Sequence, residues 1–235
     1  MNLLKILTSD HYSFKCKLII IKHYFNSEFH GILRIIEENP HLVLRDDLLF
    51  KRLCLNPDSF YFSFWKNHPD LSTLDRYSEL EGSILDFGCG TGHLDILLSR
   101  KGRTIHGIDI SPLAIRIANY LRESESSIIK KRVSFSAVNV TRDESKIKYD
   151  VIWSNHVFEH INDPSTIFSG LKNWGKEKAF ILITVPLGLA YDDPGHIHHF
   201  FTQEQLKSHF NKFIDIDKIE INADSNEIRL LGRLV

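Results

Sequence analysis

The stretch Ile84–Ile110, with the sequence ILDFGCGTGHLDILLSRKGRTIHGIDI, decides the fold of this chain. It begins with a short, mostly apolar run that predicts a β-strand, and the glycine-rich sequence GCGTG follows directly. The segment His93–Lys101 then predicts a helix, and Thr104–Ile110 predicts a second strand. A strand, a glycine-rich loop, a helix and a second strand in this order are typical of a nucleotide-type site at the carboxyl end of a parallel sheet.

The alternation of short apolar runs with amphipathic stretches continues through the rest of the chain. It predicts further strands at Val133–Val140, Asp150–Ser154 and Phe180–Val185. Further helices are predicted at Pro112–Ser124, from Asp163-Pro164 onward, and at Phe200–Phe210. At the start of the last of these helices, Thr202 and Gln205 resemble a capping box. Two final strand candidates, Phe213–Ile221 and Glu227–Val235, have no helix between them, which predicts an antiparallel hairpin at the sheet edge. We therefore expect an α/β fold with a Rossmann-like, mostly parallel, seven-stranded sheet covered by helices on both faces.

The first 80 residues differ in pattern from the rest. Apolar positions recur at helical spacing in Leu18–Ile36, and a second helical stretch runs from about Leu42 to Leu55. The aromatic residues between Phe60 and Trp65 either line a substrate cavity or pack these helices onto the main domain. We expect residues 1–80 to form a helical N-terminal extension, a substrate cap or the interface of a homodimer, and residues 81–235 to form the ligand-binding domain.

Composition and charge narrow the class of protein. The 29 basic and 30 acidic residues give a net charge of -1, which disfavours a nucleic-acid partner, and we interpret the basic triplet Lys130–Arg132 as a solvated loop. Cys16, Cys54 and Cys89 form no CxxC pair and are odd in number, so neither a zinc site nor a disulfide framework is expected. The longest apolar run near the N-terminus, Leu18–Ile21, is too short to cross a membrane, and we expect a cytoplasmic protein.

The spacing of the glycine-rich loop indicates which ligand it suits. The glycines Gly88, Gly90 and Gly92 let the backbone turn sharply and approach a ligand, but the dinucleotide fingerprint would need glycine at position 93, which is His93. Asp86 precedes the loop, where its carboxylate would repel a diphosphate and attract a cationic amino acid or sulfonium. An NAD-dependent oxidoreductase is therefore disfavoured, and a zwitterionic, positively charged cofactor is favoured.

An acidic residue at the end of the second strand supplies the next element of the site. Asp109 lies about one helix and one strand after the loop, where its carboxylate is suited to accept both ribose hydroxyls of an adenosine. At this point Ile84–Gly92 resembles the first motif of class I S-adenosylmethionine-dependent methyltransferases. The resemblance extends over roughly residues 80–210, and Asp150–Pro164, DVIWSNHVFEHINDP, is similar to the fourth-strand region of the subgroup that includes ubiquinone-biosynthesis O-methyltransferases.

The resemblance implies a role for each matching residue. Those that would bind the cofactor are Asp86, Gly88, Cys89, Gly90 and Gly92 around the methionine moiety, Asp109 at the ribose, Ile110, Asn139 and Val140 at the adenine, and Asn155 through its backbone. Asn139 stands where the family often has an aspartate, although an asparagine still accepts a hydrogen bond through its carbonyl. Cys89 is interpreted as a small residue tolerated in a tight loop rather than as a nucleophile.

Methyl transfer is an in-line displacement that mainly requires alignment, and a base is needed only when the acceptor must lose a proton. In the subgroup that the chain resembles, the pair corresponding to Glu159-His160 borders the acceptor pocket, so His160 is the first candidate for acid–base chemistry, with a purely structural histidine as the alternative. The second candidate is His196 in the loop after Pro186. His196 and His198 with Asp192 or Asp193 could hold a metal, but we favour a lid with solvent-facing imidazoles and expect no metal site.

The sequence therefore predicts a methyl transfer from S-adenosylmethionine, which leaves S-adenosylhomocysteine, to a small-molecule acceptor, at oxygen rather than at nitrogen. A non-catalytic, adenosyl-cofactor-binding partner subunit is the alternative. Both functions use the same cofactor motifs, so these motifs do not separate them, and the identity of the acceptor is not readable from the sequence.

Overall fold

The computed structural model describes residues 69–77, 80–190 and 195–235. Within these ranges the chain forms one seven-stranded sheet and five α-helices. The strands are β1 Ser83–Phe87, β2 Thr104–Asp109, β3 Val133–Ala137, β4 Tyr149–Asn155, β5 Gly175–Pro186, β6 Ile214–Asn222 and β7 Glu227–Leu234. The helices are α1 His93–Arg100, α2 Pro112–Glu123, α3 Ser127–Arg132, α4 Pro164–Leu171 and α5 Gln203–Phe210.

The strand order across the sheet is β3-β2-β1-β4-β5-β7-β6. The first five strands in this order run parallel, whereas β7 runs antiparallel to both of its neighbours, β5 and β6. This confirms the predicted α/β fold, with a mostly parallel seven-stranded sheet and an antiparallel C-terminal hairpin. Because β1, β2 and β4 are adjacent and parallel, their carboxyl ends meet at one edge, where ligands bind in such sheets.

The two faces of the sheet differ in polarity. One face carries the main hydrophobic core, in which Phe158, Phe168 and Phe210 pack their rings 5.1–5.8 Å apart. On the other face lies Asp86, which is in register with Trp153 of β4. Thr184 and Arg229 are likewise in register on β5 and β7, and both are fully buried. The polar residues of this second face surround the candidate site.

Local capping signals explain several helix boundaries. Ser111 accepts a hydrogen bond from Ala114 N–H before α2, and Asp163 accepts one from Ser165 N–H before α4, with proline in the first turn of each helix. The predicted capping box is confirmed, because Thr202 and Gln205 bond reciprocally to each other's backbone at the start of α5.

Three boundaries differ from the sequence prediction. The basic triplet Lys130–Arg132 was wrongly interpreted as a loop, since it forms the last turn of α3, where cations are favourable next to the free carbonyls. Strand β5 begins at Gly175, earlier than predicted, because its polar start still pairs with β4 across a bulge. Strand β3 ends at Ala137, earlier than predicted, and Val140 lies beyond it with its side chain in the core.

The predicted helical extension, residues 1–80, lies outside the described residues except for 69–77 and Leu80. These form two short 3₁₀ turns, Pro69–Ser72 and Leu74–Arg76. Arg103 holds them by donating to the carbonyls of Leu74 and Leu80, at 3.2 and 2.8 Å. No helix in the described part of the chain is long and apolar enough to cross a bilayer.

Candidate functional site

The glycine loop, residues 88–92, joins β1 to α1 with an unusual backbone. Gly88, Gly90 and Gly92 have φ values of 84°, 53° and 69°, in the left-handed region that side chains rarely adopt. A Cβ on Gly88 would also lie 2.3 Å from Val157 Cγ2, and one on Gly92 would lie 2.4 Å from the Phe135 ring. At these two positions glycine is therefore required by packing within the protein, in addition to the ligand approach that the sequence suggested.

Asp109 fixes the glycine loop to the end of β2. Its Oδ2 accepts a hydrogen bond from Gly90 N–H at 2.9 Å, and its Oδ1 accepts one from Ser111 N–H at 2.8 Å. The Asp109 carboxylate therefore lies where the glycine loop meets the end of β2, the position at which the sequence predicts a ribose-binding acceptor. The next residue, Ile110, is 71% exposed, which is unusual for an isoleucine and leaves its side chain available to pack on a flat apolar ligand. Both observations fit the predicted adenosine site.

A buried pair of carboxyl groups lies beneath the glycine loop. Asp86 on β1 is 4% exposed and Asp95 on α1 is 0% exposed, and each carboxyl group influences the pKa of the other. Burial, followed by the charges of Asp95 and Asp109, raises the pKa of Asp86 well above its usual range. Burial also raises the pKa of Asp95 to about 7, against the lowering effect of its contact with Asp86. The pair therefore retains a proton near neutral pH.

Cys89 lies inside the loop as a half-buried free thiol. Burial, then the charges of Asp95, Asp86 and Asp109, raise the pKa of this thiol well above its ordinary value. Because the thiolate is the reactive form, this environment argues against a nucleophile.

The residues predicted to meet the adenine on the β3 side are already engaged. Asn139 Oδ1 accepts from the backbone N–H and the hydroxyl of Thr141, at 3.1 and 2.7 Å. Both of its acceptor positions are thus used, and an adenine amino group would have to displace one of these bonds. Val140 is buried in the hydrophobic core, so its side chain contributes packing below the site rather than ligand contact.

A second group of polar residues, the charged cluster, lies at the carboxyl end of β4 and the start of β7. It consists of Asp70, His156, Glu159, Glu227 and Arg229. All four residues other than His156 are 0% exposed. Asn155, at the end of β4, donates to Asp70 Oδ2 at 2.7 Å and so joins the segment 69–77 to this cluster.

His156 is the centre of the charged cluster. Its Nε2 lies 3.0 Å from Glu227 Oε1, its Nδ1 lies 3.4 Å from Glu159 Oε1, and its Nε2 lies 4.0 Å from Asp70 Oδ2. Burial alone would lower the pKa of His156, but the adjacent carboxylates outweigh burial and raise the pKa to about 10. His156 is therefore a cation at neutral pH, held in a backbone conformation with φ of 54°.

Arg229 supplies the second positive charge of the cluster. Its Nη2 donates to Glu227 Oε2 at 2.8 Å and lies 4.0 Å from Asp70 Oδ1. Ser225 also donates to Glu227 Oε2, at 2.6 Å. The three carboxylates thus face two cations, the fully buried Arg229 and His156, and the removal of either cation would leave more of the buried negative charge uncompensated.

The two predicted catalytic histidines lie next to each other beside this cluster. The rings of His160 and His196 contact edge to face with centroids 4.7 Å apart, and His196 Nε2 lies 4.0 Å from Glu159 Oε1. His160 Nδ1 lies 3.0 Å from the carbonyl oxygen of Gly195. Because a carbonyl only accepts, Nδ1 carries the proton, and in the neutral ring the lone pair is on Nε2.

The loop after β5 differs from the prediction of solvent-facing imidazoles, which is wrong for two of its histidines. The His196 side chain is only 6% exposed, and His198 Nε2 donates to the carbonyl of Ile161 at 3.0 Å. The backbone N–H groups of Ile197 and His198 both donate to the Glu159 carbonyl, at 2.9 and 3.1 Å. These bonds fix the segment beginning at Gly195 against the end of β4. Asp192 and Asp193, considered as metal ligands, lie outside the described residues.

Two groups of side chains in the described part of the chain have the geometry of metal ligands. One is Glu159, His160 and His196, and the other is Asp70, His156 and Glu227, with ligand atoms within 4.8 Å of one another in each group. In the second group, the protonated His156 already supplies one positive charge to the two carboxylates. The expectation of no metal site stays a prediction.

The sequence interpretation missed Asp70, Asp95, Glu227 and Arg229 as members of the site. One signal was present, since β7 reads EIRLLGRL and places Glu227 and Arg229 two residues apart in an otherwise apolar strand. Residues two apart on a strand share a face, and charges on a buried face require partners. Asp95 carried no such signal, because an acidic residue in the first turn of a helix is ordinary.

Comparisons with known proteins agree with this geometry. The sequence profile of the methyltransferase domain matches residues 60–213, about two thirds of the chain. A ubiquinone biosynthesis O-methyltransferase of Paracidovorax citrulli is 31% identical over 100 residues, which cover 41% of each chain. A ribosomal protein L11 methyltransferase of Ruminiclostridium cellulolyticum is 32% identical over 94 residues, 40% of this chain and 29% of that protein. The alignments thus span about two fifths or less of these relatives' length.

A solved structure shows the same fold. The crystal structure of an S-adenosylmethionine-dependent methyltransferase from Aquifex aeolicus superposes with a TM-score of 0.61 at 17% identity, and the match covers 81% of this chain and 99% of that one. At this identity the similarity concerns the fold alone.

Proposed function

The chain belongs to the methyltransferase domain family, and we propose that it transfers a methyl group from S-adenosylmethionine to an oxygen atom of a small-molecule acceptor. The observation that carries the proposal is the arrangement around the glycine loop, where the carboxylates of Asp86 and Asp109 lie at the ends of two adjacent strands and Ile110 is exposed beside them. A zwitterionic adenosyl sulfonium carries an ammonium, ribose hydroxyls and an adenine, which suit the two carboxylates and the exposed Ile110 side chain.

The residues of the glycine loop and of β2 fit the cofactor by charge and shape. Asp109 would bind the ribose, Ile110 would pack on the adenine, and Asp86, whose Oδ1 is buried without a partner, would receive the ammonium. When bound, S-adenosylmethionine supplies a methyl group that is activated by the positive sulfur. The protein's part is to hold the acceptor oxygen in line and to exclude water.

His160 is our candidate for removing the acceptor's proton. Its Nδ1 lies 3.0 Å from the Gly195 carbonyl oxygen and so carries the proton of the neutral ring, and we propose that Nε2 accepts the proton of an acceptor hydroxyl. The neighbouring His196 and Glu159 keep this ring in place, since the His160 and His196 rings touch and Glu159 lies beside His196. Transfer to oxygen is further supported by several relatives described as ubiquinone biosynthesis O-methyltransferases. An L11 methyltransferase among the relatives supports a protein acceptor instead.

The test is turnover with a labelled donor. The purified protein is incubated with S-adenosylmethionine labelled in its methyl group and with matched panels of phenols and amines, and labelled product and S-adenosylhomocysteine are quantified. We expect product from hydroxyl acceptors. Donor binding without turnover on either panel would favour the non-catalytic partner subunit, and an absence of donor binding would contradict the whole proposal.

A separate variant tests the proposed role of His160 in proton transfer. We expect His160→Gln to lower kcat by about 10²–10³-fold at little cost in donor affinity, because a positioned base contributes about this much. The matched control is His199→Gln in the same segment, since His199 also contacts a carbonyl, that of Gly188, at 3.3 Å but is exposed. Equal losses in the two variants would contradict a proton-transfer role for His160.

A further proposal concerns the N-terminal extension. The support is that Asn155 donates to Asp70, which joins the segment immediately before β1 to the charged cluster. We propose that residues 1–80 form a cap that selects the acceptor. Exchange of this segment for that of a relative should change acceptor preference and leave donor affinity unchanged; a lost donor affinity with an unchanged preference would contradict it.

A further inference from the structure

The carboxyl pair beneath the glycine loop has a feature that cofactor binding by Asp86 alone does not explain. Asp95 lies in the first turn of α1 and is completely buried, and neither of its carboxylate oxygens has a hydrogen-bond donor in the described structure. Asp86 Oδ1 is likewise buried and has no hydrogen-bond donor. Two buried carboxylates without donors are strongly unfavourable, and a proton held between them removes one charge and supplies one hydrogen bond.

The groups around Asp86 and Asp95 also favour the protonated form of the pair. The charged groups that act on Asp86 are Asp95 and Asp109, both acidic, and the same aspartates raise the pKa of the Cys89 thiol, which keeps it neutral. His93, which begins α1, is engaged through Nδ1 with the Thr91 hydroxyl at 2.8 Å. Burial is the first cause that raises the pKa of both aspartates, and the negative charges around Asp86 add to it.

Asp95 itself is closed to solvent, whereas Asp86 keeps a small exposed edge. An incoming ammonium group therefore meets Asp86, and Asp95 acts through it. We propose that Asp95 is a positioning residue for the methyl donor: it shares a proton with Asp86 in the unliganded protein, and this proton is released to solvent when the donor's ammonium binds Asp86.

When the donor binds, the only covalent bond that breaks in the protein is the O–H bond of the shared proton. The carboxyl pair loses one proton to the buffer, and the donor's ammonium takes over the neutralising role. Affinity for an ammonium-bearing ligand should consequently rise with pH while the pair is still protonated in the free protein, by up to about tenfold per pH unit. The rise should level off as the pH passes the pKa of the pair, since no proton is then left to release.

The inference rests on the proposed function, and titration calorimetry separates the two. Binding is measured between pH 5.5 and 7.0, below the range of about 8 in which an α-amino group loses its own proton, in two buffers of different ionisation enthalpy. The probes are S-adenosylmethionine, S-adenosylhomocysteine, which keeps the ammonium but lacks the sulfonium, and 5′-methylthioadenosine, which lacks both. We expect close to one proton released with the first two ligands and none with the third.

Two variants locate the source of the proton. In Asp95→Asn the amide donates to Asp86 in place of the shared proton, so Asp86 stays ionised, proton release disappears, and affinity no longer depends on pH in this range. The matched control is Ser99→Ala, since Ser99 is equally buried on α1 and only donates to the Ile96 carbonyl at 2.7 Å. We expect it to release the proton as the unmodified protein does.

Each outcome bears on one claim. Proton release that is the same with 5′-methylthioadenosine, or that persists in Asp95→Asn, would overturn the role of Asp95. Tight binding of both ammonium-bearing ligands without any proton release would also overturn it and leave the proposed function intact. If neither ligand binds, the proposed function fails first. Should Asp95→Asn not fold, the three-ligand comparison on the unmodified protein still decides.

Discussion

The glycine loop and the charged cluster form two halves of one site, but they are built in different ways. The loop, with Asp86 and Asp109, comes from one continuous stretch and is held by main-chain bonds, such as Gly88 N–H to the Ile108 carbonyl, and by the bond from Gly90 N–H to the Asp109 carboxylate. The charged cluster combines residues from three distant parts of the chain, at positions 70, 156–159 and 227–229, and is held by buried charges. Local geometry determines the first half, and long-range electrostatics determines the second.

This difference predicts where substitutions act. At Asp109 and Ile110, next to the glycine loop, a substitution should weaken ligand binding more than it weakens the fold. In the charged cluster, a substitution should weaken the fold, because an unmatched buried charge remains. The following variants test this contrast.

Asp109→Ala should have the largest effect on binding. The substitution removes the acceptor of Gly90 N–H together with the carboxylate proposed to bind the ribose. Because hydrogen bonds to a charged group contribute about 1.5–3 kcal/mol each, we expect the affinity for S-adenosylmethionine to fall by about 10²–10³-fold. Calorimetry measures the affinity, and urea unfolding measures the stability. The matched control is Asp163→Ala, since Asp163 likewise accepts the N–H two residues ahead, that of Ser165, at 2.9 Å. Unchanged donor affinity in Asp109→Ala would remove the basis of the proposed donor site.

The charged cluster should make the free energy of unfolding depend on pH. The pKa of His156 is raised to about 10 in the folded protein from about 6.5 in the unfolded chain, so its stabilising contribution is complete below pH 6.5 and is lost as the pH rises toward 10. We expect the free energy of unfolding to decrease by up to about 1.4 kcal/mol per pH unit in this window.

Urea unfolding at pH 6, 8 and 9.5 measures this slope. His156→Gln should be less stable at pH 6 and should lack the slope, whereas the exposed His199→Gln should keep it. If His156→Gln is too unstable to study, the imidazole of the unmodified protein can be followed by NMR. Titration of His156 near its ordinary pKa would contradict the ion pairs with Glu159 and Glu227.

The smallest effect is expected at Ile110. Its side chain is 71% exposed, so Ile110→Ala should change stability by less than about 0.5 kcal/mol. Donor affinity should nevertheless fall by about five- to tenfold, because the side chain becomes buried only when an adenine packs on it. Ile128→Ala on α3, where the side chain is 62% exposed, serves as the control and should leave affinity unchanged. The same result for both variants would mean that the adenine lies elsewhere.

The sequence was informative where a local rule determined the structure. The glycine loop, the end of β2 at Asp109 and the capping box at Thr202 follow from backbone freedom, strand periodicity and helix capping, each of which acts within a few residues. The packing reason for Gly88 was not readable, because Val157 is far away in the sequence and approaches only after β4 has paired with β1.

The charged cluster could not be predicted for a related reason. An apolar strand pattern identified β7, but it contains no information on which residues lie opposite Arg229. Asp70, which lies 4.0 Å from Arg229, comes from a turn far earlier in the sequence, and His156, which contacts Glu227, follows β4. Helix α3 was not predicted because its three basic residues resemble a solvated loop equally well. Pairings of this kind require the three-dimensional contacts.

The position of β7 affects how the protein is made. This strand comes after β6 in the sequence but inserts between β5 and β6, and it carries Glu227 and Arg229 into the centre of the charged cluster. During synthesis, the first five strands can pair before β7 has left the ribosome, but His156 and Asp70 then still lack their partners. The charged cluster thus lacks two of its members until β7 is in place, and a nascent or C-terminally damaged chain would hold the glycine loop without a complete charged cluster.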